Sequence, residues 1–193
     1  MFKKLITSLA LSAAVLTATV VTPGLVAPQT AEAAFNAPMF KQYESPWGDN
    51  LMGGGATLAQ AGCTVTSVAM ALRHKGIQIA GDPAQPGRLN TWLKNHGGYS
   101  GNLLVWGALE NLNNRISFQG RYYGYDSIAA STLRTYLNNG NKAIIGQVRG
   151  GSHWVLLTGH NGGTTFYVND PNYSTGSYSY SSFTGYGVYT ITN

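Results

Sequence analysis

The chain has 193 residues and a formal net charge of +5; 44% of its residues are hydrophobic and only 10% are charged. Soluble domains usually contain about 25% charged residues, so this composition argues against an ion-pair-rich helical protein or a coiled coil. The apolar fraction is high enough to offset chain entropy, which excludes intrinsic disorder. A single cysteine excludes an internal disulfide and a cysteine-based structural zinc site.

The first 33 residues have the pattern of a secretory signal peptide. Two lysines precede an uncharged, mostly apolar run over residues 5–21, and an A-x-A cleavage site ends at Ala33. The alternative is a retained membrane anchor, but the apolar run falls short of the ~20 residues that a spanning helix needs. We therefore expect a secreted protein, extracellular or in the cell wall, with no stable membrane anchor and with residues 34–193 as one domain.

Helical periodicity dominates the first half of the mature region. Residues 34–39 are expected to form a short tail, and 40–47 an ordered segment that leads into a glycine-rich loop. Apolar residues then recur with i, i+3, i+4, i+7 spacing from Val65 to Leu72, which predicts a helix that begins at or beside Cys63. Gly76 follows at the position where such helices end. Further helices are predicted over Pro86–His96, Trp106–Leu112 and Ser131–Asn139.

Short strand patterns dominate the last third of the chain. An alternating run over 116–123 predicts a first strand. Four further strands, separated by glycine-rich and Asp-Pro turns, are predicted over Ala143–Val148, His153–Thr158, Thr165–Asn169 and Gly187–Thr192. The tyrosine-rich stretch 173–186 fits edge strands and turns, a flexible loop, or a wall around a groove. Helices followed by strands indicate an α+β fold, with an antiparallel sheet packed against the N-terminal helices.

Cys63 is the most informative residue for function. An unpaired thiol in an exported protein is exposed to oxidation, so its presence needs a reason. A buried cysteine that acts as a small hydrophobic side chain is one interpretation. The other is a nucleophile, because Gly62 allows a close turn and the N-terminus of the following helix favours the thiolate form.

A thiolate nucleophile needs a base, and histidine is the natural one near neutral pH. Of the four histidines, His74 lies roughly 16 Å along the helix from Cys63, and His96 is typical of a solvated residue at a helix end. His153 opens a predicted strand and can be presented at a sheet edge. His160 would face the opposite side of a straight strand, so His153 is the better candidate.

Asp170 is the acid best placed to orient His153, because it ends a strand that can pair with the His153 strand. The Asp170-Pro171 pair is equally typical of an ordinary turn. A developing oxyanion needs donors, usually a backbone N–H together with a side-chain amide. The Cys63 N–H is one candidate, and Gln42 or Gln60 is the other.

Four blocks of sequence together resemble a known family. They are Gln42-Tyr43…Pro46-Trp47-Gly48, AGCTVTSVAM at 61–70, GSHWVLLTG at 151–159 and VNDP at 168–171. In this order they resemble the papain-clan cysteine peptidases of the bacteriocin-processing (double-glycine leader) type, specifically a secreted branch. The resemblance spans nearly the whole mature region and implies a bacterial protein with a papain-like α+β peptidase fold.

The resemblance also implies residue roles. Cys63 would be the nucleophile and His153 the general base and acid. Asp170 would orient His153, and Gln42 would match the oxyanion glutamine, although its separation from Cys63 is longer than in papain. No metal or other cofactor is implied. Leader-processing members are cytosolic domains fused to transporters, so bacteriocin maturation is not expected for a chain with a predicted signal peptide.

The leading hypothesis is a secreted thiol protease, a hydrolase that cleaves amide bonds of peptide or protein substrates through an acyl-enzyme. One alternative directs the same triad at peptidoglycan peptides, and another uses it for amidase, deamidase or transglutaminase chemistry. The last is a non-catalytic module that binds peptide or glycan through its aromatic residues. The basic residues are scattered singly, so no nucleic-acid partner is expected, and we expect a monomer.

Overall fold

The computed structural model describes residues 35–192, so the predicted signal peptide lies outside the described residues. Within this range the α-helices are α1 (Leu58–Ala61), α2 (Cys63–His74), α3 (Pro86–Asn95) and α4 (Ala130–Asn139). Short 3₁₀-helices cover Trp106–Asn111, Tyr125–Ser127, Arg149–Gly151 and Tyr180–Ser182. No helix within residues 35–192 is both long enough and apolar enough to cross a membrane.

The strands are β1 (Gln78–Ile79), β2 (Asp82–Pro83), β3 (Tyr99–Ser100), β4 (Leu103–Leu104), β5 (Ile116–Tyr123), β6 (Lys142–Val148), β7 (His153–His160), β8 (Thr165–Asn169), β9 (Ser177–Ser179) and β10 (Gly185–Ile191). Strands β5 to β10 form a six-stranded antiparallel sheet in the order β5-β10-β6-β7-β8-β9. The α+β class and the antiparallel sheet are therefore confirmed.

Helix α2 begins and ends where the sequence pattern predicts. Its apolar stripe from Val65 to Leu72 is buried. The helix ends in a Schellman motif, in which the Ile77 N–H donates to the Leu72 carbonyl at 3.0 Å and the Gly76 N–H donates to the Arg73 carbonyl at 3.1 Å. Gly76 has φ +65°, the left-handed conformation that favours glycine at this position.

A short helix that the sequence analysis did not predict, α1, precedes α2. It begins with a capping box, in which the Gln60 N–H donates to Thr57 Oγ1 and the Thr57 N–H donates to Gln60 Oε1. Gly62 joins the two helices, and a Cβ at Gly62 would lie 2.5 Å from the Leu58 carbonyl oxygen. Only glycine fits this close turn, which supports the role predicted for Gly62.

The two central strands of the sheet have both faces covered. Alternate residues such as Ile145 and Leu156 pack into the core that contains α2, while Ile144 and Val155 pack into the core that contains α4. The sequence analysis predicted helices on the sheet but did not assign α4 to a separate face. With both faces buried, β6 and β7 contain nearly continuous apolar runs.

Two local predictions were wrong. The segment from Trp106 is a 3₁₀-helix rather than an α-helix, and Trp106 and Leu109 contact the core with the three-residue spacing of that helix type. Within the expected tail, Phe35 is buried, its N–H donates to the Thr158 carbonyl at 3.1 Å, and its ring lies 4.1 Å from that of His74.

The tyrosine-rich stretch contains the edge strand β9 and a 3₁₀ turn.

Candidate active site

Three element ends meet at one edge of the sheet. Cys63 is the first residue of α2, His153 is the first residue of β7, and Asp170 directly follows β8. Because β7 and β8 are antiparallel, the beginning of one strand and the end of the other lie at the same edge. One turn after Cys63, Ser67 Oγ donates to the Trp154 carbonyl at 3.2 Å, which joins α2 to β7.

His153 lies between a carboxylate and a thiol. Its Nε2–H donates to Asp170 Oδ1 at 2.7 Å. Cys63 lines the same cleft as His153 and contributes to the raised pKa of the ring; Nδ1 is the ring nitrogen left to face the thiol. His153 is 5% exposed and Asp170 is fully buried, so both groups are shielded from water.

Asp170 also closes a turn. Its Oδ1 accepts the backbone N–H groups of Asn172 and Tyr173, both at 2.9 Å, and its Oδ2 accepts the Tyr178 hydroxyl at 3.1 Å. Burial by itself raises the pKa of Asp170, but the bonds from His153, Tyr173 and Asn172 and the charge of His153 lower it below its ordinary value. Orienting His153 and forming a turn are therefore compatible for this residue.

The environment of His153 favours the protonated ring. Burial lowers the pKa of His153, but hydrogen bonds to Asp170 and Cys63 and the charges of both residues raise it to about 9. The imidazole is thus cationic at neutral pH.

The two candidate oxyanion glutamines have different environments. Gln42 is 3% exposed, its Nε2 donates to the Ala59 carbonyl at 2.8 Å, and its backbone N–H donates to the Pro171 carbonyl at 2.9 Å. Its Oε1 is buried without a hydrogen-bond partner. Gln60 is exposed and its Oε1 belongs to the capping box of α1. The geometry favours Gln42, because its amide is held in place and has one N–H left to donate.

The other histidines lie elsewhere. His74 stacks on Phe35, and His96 is exposed and stacks on Trp92 at 4.4 Å. His160 Nε2 bonds to Asn138 Oδ1 of α4 at 2.9 Å. The expectation that His160 faces the opposite side assumed a straight strand, whereas β7 has a register shift between Leu157 and Gly159. The length of the strand, roughly 23 Å over seven residues, separates His160 from Cys63 instead.

A cleft of about 680 Å³ is lined by Cys63, His153, Gln42 and Gln60, among other residues. None of the residues that line it is Asp or Glu. A second cavity, of about 500 Å³, lies between Trp47 and Trp92 and does not include Cys63. The first cleft is therefore the place where a substrate can reach the thiol.

Sequence reasoning missed several residues of the site. Lys41 Nζ donates to the carbonyls of Asp170 and Tyr173, both at 2.7 Å, and so joins the N-terminal segment to the Asp170 turn. Tyr178 lies in the tyrosine-rich stretch 173–186, for which a wall around a groove is one of the three interpretations given above. Arg121 also lines the cleft. The sequence feature that could have indicated it is the single basic residue in the alternating strand pattern over 116–123.

A thiol and an imidazole that line one cleft, with a carboxylate hydrogen-bonded to the imidazole, form the arrangement used by cysteine hydrolases. The sequence profile of the Peptidase_C39 like family matches residues 35–192, and the chain belongs to this family. This confirms the resemblance seen in the four sequence blocks, and the family suggests a cysteine peptidase. No curated protein and no solved structure matches the chain.

Proposed function

We propose that this protein is a secreted cysteine peptidase with a papain-like fold that hydrolyses amide bonds through Cys63, His153 and Asp170. The observation that carries the proposal is that His153 is hydrogen-bonded to the buried Asp170 carboxylate and lines the same cleft as the Cys63 thiol. The position of Cys63 at the start of a helix, and its place in the cleft that also contains His153, support the same interpretation.

In the first half of the reaction, the Cys63 thiolate attacks the carbonyl carbon of the scissile amide. The negative charge moves to the carbonyl oxygen, where Gln42 Nε2 and the Cys63 backbone N–H donate hydrogen bonds to it. The Cys63 N–H is free for this purpose because the first N–H groups of a helix have no partner within the helix. His153 Nδ1–H then gives its proton to the leaving amine, and a thioester remains on Cys63.

In the second half, the neutral His153 accepts a proton from water through Nδ1 as the water oxygen attacks the thioester carbon. The tetrahedral intermediate collapses to the carboxylic acid product, and the sulfur leaves as the thiolate beside the reprotonated ring. Asp170 keeps its bond to Nε2 throughout, which holds Nδ1 towards the sulfur and stabilises the imidazolium.

The peptide part of peptidoglycan is the second candidate substrate. The predicted signal peptide favours it, as does the net charge of residues 34–193, which have 10 basic and 6 acidic residues, because an exported basic protein is attracted to anionic cell-wall polymers. The proposed chemistry is the same for a protein and for a cell-wall peptide, so only the bound substrate differs.

Cys63 reactivity tests the proposal directly. We expect iodoacetamide to alkylate Cys63 faster than free cysteine between pH 5 and 8, because the proposed mechanism requires an activated thiol beside the His153 ring. Purified protein is then incubated with casein and with purified cell walls, with Cys63→Ala as the control. Release of peptides from either substrate by the native protein alone supports the proposal, whereas an unreactive thiol would overturn it.

A further inference from the structure

Arg121 on β5 projects into the cleft that contains Cys63 and His153. Its guanidinium carbon lies 4.9 Å from the ring centre of Trp106 and 4.4 Å from that of Trp154. Trp154 directly follows His153 in β7. The cation therefore lies in a half-buried aromatic site of the cleft that His153 also lines.

The guanidinium has no polar partner in the described part of the chain. Its Nε is buried without a hydrogen bond, and no carboxylate among residues 35–192 pairs with it. The five other arginines in this range each have at least one polar partner; they are Arg73, Arg88, Arg115, Arg134 and Arg149. Burial lowers the pKa of Arg121, but arginine stays protonated in proteins.

The sheet is shaped to hold this cation. Gly187 of β10 pairs with Arg121, and a Cβ at Gly187 would lie 2.1 Å from Cζ3 of Trp106. The absence of a side chain lets the indole lie against β10, 5.2 Å from the ring centre of Trp154. The two indoles then position the guanidinium by cation–π contact, so its orientation is set before any ligand binds.

An unpaired cation in a cleft without acidic residues is complementary to an anion. The planar guanidinium fork matches a carboxylate, which it binds through two parallel N–H···O bonds. We propose that Arg121 binds a carboxylate of the substrate, either a C-terminal carboxylate or the side chain of Asp or Glu. The proposal rests on the proposed peptidase function for its place in the reaction.

Binding to the inactive Cys63→Ala protein tests this without turnover. The probes are three N-acetylated pentaalanine peptides: one with a free C-terminal carboxylate, one with a C-terminal amide, and an amidated one with glutamate as the last residue. Tryptophan fluorescence provides the signal, because Arg121 contacts Trp106 and Trp154. We expect at least one carboxylate peptide to bind about 10- to 100-fold more tightly than the neutral amide, and the preferred peptide identifies the source of the carboxylate.

Variants at Arg121 complete the test. Arg121→Met should remove the preference and Arg121→Lys should restore part of it, while the control Arg134→Met, on α4, should keep it. In active protein the same preference is expected in kcat/KM for any of these peptides that is cleaved. Equal binding of charged and neutral peptides by the parent protein, or a preference that survives in Arg121→Met, would overturn the proposal. Iodoacetamide reactivity of Cys63 does not involve a substrate carboxylate, so failure of the peptidase proposal is recognised separately.

Discussion

The Nε2 of His153 lies 2.7 Å from Oδ1 of Asp170, and the two side chains are 6% and 0% exposed. This buried contact has opposite effects on its partners, since the pKa of His153 is raised to about 9 against the effect of burial, and the pKa of Asp170 is lowered, also against burial. Both shifts stabilise the charged forms. The pair therefore connects the fold, the protonation state of the ring and the expected pH dependence.

Turnover should depend on the protonated form of His153. The value of kcat/KM is expected to fall on the alkaline side near pH 9, because the leaving amine takes its proton from the imidazolium. Asp170→Asn removes the negative charge that raises the pKa of His153, so the alkaline fall of kcat/KM should move to lower pH. A pH profile of kcat/KM and NMR titration of the ring measure both shifts, with His160, bonded to Asn138 instead, as the internal control. An unmoved His153 titration in Asp170→Asn would contradict the assignment.

Stability should follow the same pair of groups. The raised pKa of His153 contributes to the free energy of unfolding. This contribution is complete below pH 6.5, the ordinary pKa of histidine, and is lost as the pH rises through about 9. The lowered pKa of Asp170 makes a second contribution to the free energy of unfolding, which is present above pH 3.8 and is lost as the pH falls below that value. The difference in unfolding free energy between native protein and Asp170→Asn, measured in urea, should thus be greatest between pH 3.8 and 6.5. A pH-independent difference would argue against the ion pair.

His153 and His160 lie at opposite ends of β7 and provide a matched pair of variants. His153→Ala should reduce kcat/KM by at least about 10²- to 10⁴-fold, the usual contribution of a general acid and base. His160→Ala removes the bonds of the ring to Asn138 and to the Gly162 N–H, at the far end of β7 from His153, so it should retain turnover. Peptide hydrolysis by the two purified variants measures the difference, and equal losses would remove His153 as the assigned base.

Gln42 and Gln60 can be separated in the same way. Gln42→Ala should lower kcat by about 10²- to 10³-fold, because it removes one oxyanion donor. Alkylation of Cys63 should keep its rate, since alkylation forms no oxyanion. Gln60→Ala, at an exposed capping residue, should cost a little helix stability and leave kcat unchanged. If Gln60→Ala showed the larger loss of kcat, the glutamine assignments would be reversed.

The glycine opposite Arg121 should be sensitive to a single methyl group. Gly187→Ala places a Cβ 2.1 Å from Trp106, which we expect to destabilise the fold by about 1–3 kcal/mol and to displace Arg121. Gly176→Ala is the control, because nothing lies within 4 Å of a Cβ at that position. Urea unfolding measures the stability change, and fluorescence binding measures the carboxylate preference. Equal stability of the two variants would show that Trp106 moves without cost.

Local features of the fold were accessible from the sequence because their causes are local. The stripe from Val65 to Leu72 and the glycine at 76 defined α2 closely, and α4 ends at Asn139 as predicted, before Gly140 with φ +67°. The register shift in β7 was not accessible, because it depends on pairing with β8. The choice between Gln42 and Gln60 was also open, since it depends on contacts of Gln42 with Ala59 and Pro171.

The sequence by itself determined the candidate nucleophile, since the chain has one cysteine, and it determined the helix that begins there, since helical periodicity is a property of neighbouring residues. Only the tertiary structure decided that His153 Nε2 bonds to Asp170, and that Arg121 lies on Trp154 with no carboxylate partner among residues 35–192. These contacts join residues far apart in the chain. Their distances depend on strand order and on the packing of α2 against the sheet, which the residue pattern of a single segment does not contain.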